Sequence, residues 1–108
     1  PKGGKPLGRE ATADLRAFMD AVPGAAVWVT EVGPLFSRGT RAVDEPALTR
    51  DWAAYVAGLQ RPPVWDRLHG LTYYMLYGDA NWDSGLISRT GVFRAGVYAP
   101  LVTLTARR

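Results

Sequence analysis

Apolar and polar positions along the chain fall into periodic segments separated by turns that carry glycine or proline. In the first segment Leu15, Phe18, Met19 and Val22 stand at i, i+3, i+4 and i+7, with Asp14, Arg16 and Asp20 between them. That spacing predicts an amphipathic helix with these side chains on its buried stripe, ended by Pro23 and Gly24. Residues 25–30 are a nearly continuous apolar run around Val27, Trp28 and Val29, the pattern of a strand covered on both faces in a parallel sheet. After a loop over 33–43, Asp44 is placed to cap a second helix, with Pro46 in its first turn where a missing amide hydrogen costs nothing. Leu48, Trp52, Tyr55, Val56 and Leu59 form the apolar stripe of that helix, and Arg61, Pro62 and Pro63 end it. Trp28, Trp52 and Tyr55 are assigned to the core.

A short connection through Trp65, Arg67 and His69 leads to the run 71–77, whose β-branched and aromatic residues predict a second strand broken at Gly78 and Asp79. A loop with Asn81, Trp82, Asp83 and Gly85 follows. Tyr98, Leu101, Val102 and Leu104 then recur at roughly helical spacing over 94–105, in a helix that Pro100 weakens. The order helix, strand, helix, strand, helix, with long connections, suits right-handed crossovers between parallel strands. Two strands buried on both faces do not make a stable sheet by themselves. The pattern therefore predicts a slice of a larger α/β array, since a complete (β/α)8 barrel takes about 250 residues.

The segment Ala26-Val27-Trp28-Val29-Thr30-Glu31-Val32-Gly33 resembles the seventh-strand signature of the clan of retaining (β/α)8 glycosidases that includes cellulases, mannanases, xylosidases and arabinofuranosidases. In that clan an apolar strand ends in Thr-Glu-x-Gly or a close variant, and the Glu attacks the sugar. The helix over 14–20 resembles the sixth helix of such barrels. Residues 71–76, followed by Asp79, Trp82, Gly85, Leu86, Gly91, Arg94, Ala95 and Tyr98, resemble the eighth strand, its aromatic-bearing loop and the start of the last helix. The likeness runs from about Arg9 onward. It departs from the pattern in lacking Pro at Ala95 or Gly96, in carrying Pro100, and in having Tyr where the eighth strand often has Trp.

The resemblance implies an α/β fold class, with residues 1–108 as the C-terminal portion of a (β/α)8 TIM barrel, from its sixth helix to its eighth. It implies a retaining glycoside hydrolase in which Glu31 forms a glycosyl-enzyme intermediate. Retention needs two carboxyl groups roughly 5 Å apart, and the carboxyl end of a barrel strand suits the nucleophile. The general acid/base of the clan lies at the end of the fourth strand, so no residue of this chain inherits that role and the chain alone is expected to be inactive. Asp79 and Asp83 are the nearest substitutes by loop position, but turn-forming roles compete for both. Trp82, Tyr74, Tyr77 and Asp79 are the expected substrate-binding residues, each with a packing or turn-forming alternative. The expected partners are an oligosaccharide or polysaccharide and the remainder of the barrel, with no cofactor and no metal.

Composition narrows the alternatives. A net charge of +3 with acidic and basic residues interspersed lacks the basic stripe of a nucleic-acid binder; the dense basic clusters lie at Lys2, Lys5, Arg107 and Arg108. Absence of Cys excludes disulfides, thiolate zinc sites and cysteine nucleophiles. His69, the single histidine, precedes the second predicted strand, at the opposite end from Glu31, and leaves no Ser-His-Asp arrangement or paired-histidine metal site. No phosphate-binding glycine fingerprint occurs, and no apolar run approaches the roughly 18 residues of a membrane span. The chain begins at Pro1 rather than Met and so reads as a processed or partial product. The compartment stays open, a secreted or periplasmic setting being favoured. Two other classes also stay open: a non-catalytic carbohydrate-binding or pseudo-enzyme module that grips a glycan through residues 77–82, and a small free-standing α/β interaction domain.

Overall fold

The computed structural model describes residues 9–38 and 43–106, without the side chains of residues 9–11. The basic ends at Lys2, Lys5, Arg107 and Arg108, and part of the segment 33–43 expected as a loop, lie outside the described residues. The elements are α1 (Arg9–Ala21), β1 (Val27–Val32), α2 (Glu45–Leu59), α3 (Val64–Arg67), β2 (Leu68–Tyr73) and α4 (Ala95–Ala106). Together they make a small mixed α/β domain with a two-stranded parallel sheet. Among the described residues no helix is long and apolar enough to cross a membrane.

The second helix forms as its sequence dictates. Asp44 Oδ1 accepts from the Ala47 amide at 3.1 Å, and Pro46 sits in the first turn. Trp52, Tyr55, Val56 and Leu59 are buried. The Trp52 indole donates to the Val97 carbonyl at 2.9 Å and meets the Tyr73 ring edge-on at 5.3 Å, so α2 is held to both α4 and the sheet.

Several expectations from sequence need correction. In α1, Met19 is buried and Leu15 packs against the core, but Phe18 is 56 % exposed and Val22 also faces out. The helix packs mainly on α2 and α3, which leave part of its apolar stripe uncovered. In α4 the packed stripe is Val97, Leu101 and Leu104, whereas Tyr98 and Val102 are exposed. The phase is set by the Trp52–Val97 contact, and Pro100 is accommodated within a continuous helix. The connection after Pro63 contains α3, which leads directly into β2. The second strand therefore runs over 68–73 instead of 71–77, with His69 inside its amino end.

The sheet is not covered on both faces. Val27, Val29, Val32, Leu68, Leu71 and Tyr73 lie on the helix side, in or against the core cluster. Trp28, assigned to the core from sequence, is 66 % exposed. It lies across Gly70 of the neighbouring strand, where a Cβ would come within 2.2 Å of the indole. With only two strands and helices on one side, nothing among the described residues covers the opposite face.

Candidate active site

Glu31 is the fifth residue of β1, near its carboxyl end. The ladder pairs Val29 with Leu71 and Val32 with Tyr73, so it is irregular between those points. Thr30 and Glu31 are consecutively exposed there, and Val32 returns to the core side. This break in the two-residue alternation leaves the Glu31 side chain exposed rather than packed under the helices. His69 lies at the other end, beside the β1 amino terminus, since Val27 pairs with Leu68.

The carboxyl ends of the two strands are tied closely. The Tyr74 amide donates to the Val32 carbonyl at 2.9 Å. At Gly33 a Cβ would stand 2.4 Å from the Tyr74 carbonyl oxygen and 3.2 Å from the Tyr73 ring, so only glycine lets the chains approach this far. The peptide bond between Tyr74 and Met75 is cis, as is that between Pro62 and Pro63. Tyr74 is exposed next to the end of β1, while Tyr77 is bridged to Ile87 and is 61 % exposed.

The loop bearing Asp79 and Trp82 is built by its own side chains. Asp79 Oδ1 accepts from the Asn81 and Trp82 amides at 2.8 and 2.9 Å, the turn-forming role that the sequence also allowed. Trp82 is half-buried, and its Nε1 donates to Ser84 Oγ at 3.1 Å. Asp83 is buried and ion-paired: Arg94 Nη1 donates to Oδ1 at 2.8 Å and Nη2 to Oδ2 at 3.0 Å. Burial alone would push the Asp83 carboxyl up, but its hydrogen bonds from Arg94 and from the Arg89 and Gly85 amides outweigh this and hold it below the usual value. Arg94 also donates from Nε to Glu45 Oε1 at 2.6 Å and lies over Phe36, 4.0 Å from its ring centroid.

This Asp83–Arg94–Glu45 knot and the buried Phe36 were not apparent from sequence. The four residues come from three separate segments, and no local pattern links them. Tyr73 joins the same end of the fold, its hydroxyl donating to the Ser84 carbonyl at 2.7 Å. Burial first, and then the Asp83 charge, raises its phenol above 10.0 against the opposing pull of Arg94.

Of the residues expected to act on substrate, Tyr74 is bonded to the end of the strand that carries Glu31, while Asp79 and Trp82 lie on the loop that Asp83 bridges to Ser37. Tyr77 is laid against Ile87 instead of β1. Among the described residues no group of three or more His, Cys, Asp or Glu side chains is placed to hold a metal ion. No known protein family, curated protein or solved structure matches the chain.

Proposed function

We propose that the chain carries the C-terminal portion of a (β/α)8 barrel of a retaining glycoside hydrolase, with Glu31 as its nucleophile. One observation carries this reading: Glu31 is exposed one residue before the carboxyl end of a parallel strand, next to the point where Tyr74 leaves the neighbouring strand and bonds to Val32. In a closed barrel the bare face is the interior, and the carboxyl ends of the strands hold the chemistry. The open edge of β2 fits the same picture. A largely apolar groove of about 460 Å³ runs along it beneath α4, lined by Trp65, Leu71, Leu101 and Leu104, where a further strand would pack.

On this reading the Glu31 carboxylate attacks the anomeric carbon while a second carboxylic acid protonates the departing oxygen. The resulting ester is hydrolysed by water that the second group deprotonates, and configuration is retained. Asp79 and Asp83 are both occupied in building their loop, so the acid/base is assigned to a strand of the barrel outside these residues. Trp82 supplies an indole face for a pyranose ring, and the exposed Tyr74 stands where its strand ends next to that of the nucleophile.

The test is Glu31→Gln in the complete catalytic protein. Turnover should fall by roughly 10⁴-fold or more while sugar binding survives, as expected for loss of a nucleophile. A slowly deglycosylated substrate should leave one sugar covalently attached to the peptide containing Glu31. Undiminished hydrolysis by the variant would overturn the assignment. A wild-type protein that binds glycans without ever cleaving them would establish the non-catalytic module instead.

A further inference from the structure

The loops that follow the two strands are stitched to each other. The Phe36 and Ser37 amides donate to the Asp83 carbonyl at 2.7 and 3.3 Å, and the Asp83 amide donates to the Ser37 carbonyl at 2.8 Å. This antiparallel bridge brings Arg38 over Trp82, its guanidinium carbon 5.7 Å from the ring centroid. The indole beneath it is fixed at its polar edge by Ser84 Oγ, and its backbone amide is held by Asp79. Ser84 is itself buried and clamped through its carbonyl by Tyr73.

Arg38 and Arg94 contrast sharply at this end of the molecule. The guanidinium of Arg94 is buried, and each of its nitrogens donates to Glu45, Asp83 or the Gly85 carbonyl. Arg38 is exposed, and among the described residues none accepts a hydrogen bond or forms an ion pair with its side chain. A guanidinium resting against an aromatic ring keeps its charge and its forked N–H donors, the arrangement that matches a carboxylate or sulfate through paired hydrogen bonds. Glu31 and Asp79, the carboxylates expected at this end, repel an anion. Arg89 is also exposed and follows Asp83 on the same loop, but Arg38 is the guanidinium that rests on the indole, so an acidic group at that ring meets Arg38.

We propose that Arg38 and Trp82 form a rim subsite that selects glycans bearing a carboxylate or sulfate on the sugar unit seated at the indole. The proposal rests on the glycosidase reading for the identity of the ligand as a glycan. Recognition itself is carried by Arg38 and Trp82, not by Glu31.

The experiment uses the complete protein with Glu31→Gln, so that ligands are not consumed. β-Linked xylo-, gluco- and galacto-oligosaccharides, each in neutral, uronate-bearing and sulfated form, are titrated calorimetrically at low and at high salt. At least one acidic form should bind about 10-fold or more tightly than its neutral counterpart at low salt, as charge-assisted pairing predicts. High salt should shrink that preference. Adding Arg38→Gln should abolish it and leave the neutral affinity within about twofold, and adding Trp82→Ala should weaken both forms. The uronate and sulfate arms identify which anion is preferred.

Equal affinity for charged and neutral forms, a preference that survives Arg38→Gln, or no binding to any member of the series would overturn the proposal. Hydrolysis by the wild-type protein is scored separately. Cleavage without an Arg38-dependent preference removes the subsite and leaves the hydrolase. Arg38-dependent binding without cleavage removes the hydrolase and leaves the subsite.

Discussion

A buried carboxylate survives at Asp83 because four hydrogen bonds replace the water it has lost: two from Arg94 and one each from the Gly85 and Arg89 amides. Truncating Arg94 removes the countercharge and leaves the anion enclosed. Arg94→Met should therefore destabilise the fold by about 3–5 kcal/mol in urea denaturation, with Asp83→Leu added to it recovering part of the loss. The same pair dictates a pH dependence. The carboxyl titrates below its ordinary value of 3.8 in the folded state, so the folded chain resists protonation that the unfolded chain accepts. Its stabilisation is complete above that ordinary value and is lost as the pH falls through the folded one. Urea midpoints followed into acid should drop steeply for the wild type, and Asp83→Asn should flatten that limb while lowering stability at neutral pH. An equally steep limb in Asp83→Asn would assign the acid transition to other carboxylates.

At the level of elements, what could be read from sequence was what local pattern encodes. α2 was legible because Asp44, Pro46 and the Trp52–Leu59 stripe agree with one another. β1 was legible as a strand, but its two faces were not, since an apolar run does not say how many neighbours will cover it. The end of β2 was misplaced for a physical reason. Residues 75–77 keep extended-strand composition but bond to the following loop, with Leu86 donating to the Met75 carbonyl at 3.0 Å and Ile87 to that of Leu76 at 2.9 Å. Of the residues proposed for the site, Glu31 is marked in the sequence by its Thr-Glu-Val-Gly context, whereas Arg38 carries no signal, the Ser37–Asp83 bridge bringing it to Trp82.

Arg67 is the same kind of omission in a structural role. From α3 it donates to the Ala25 and Met19 carbonyls at 3.0 and 2.7 Å and to that of Val22, satisfying one carbonyl in the last turn of α1 and two in the segment that follows it. Because the side chain is half-buried, Arg67→Ala should lower stability by about 1–3 kcal/mol, and Lys, which lacks the fork, should restore only part. Amide exchange in the last turn of α1 should quicken in both variants. An unchanged exchange pattern would show that the Arg67 contacts do not hold the end of α1.

For the whole molecule, the decisive quantity is apolar surface without a cover. The sheet is bare on one face at Trp28 and has a free edge on each strand among the described residues, and the groove beneath α4 is lined by side chains of core type. Beyond the sheet, Leu76, Tyr77, Val92 and Phe93 are each more than half exposed. A parallel pair of strands gains too little from its own ladder to offset the ordering of its chain, and parallel sheets are ordinarily covered on both faces. The 108 residues produced alone should therefore bind a hydrophobic dye strongly, melt over a broad range and self-associate with rising concentration, as exposed apolar patches of this kind do. Within a complete barrel the same surface would be interior, and the full-length protein should show none of these behaviours. A monomeric fragment that melts sharply and leaves the dye dark would mean that two strands and four helices suffice. The closed-barrel setting of Glu31 would then fail, and the free-standing interaction domain would take its place.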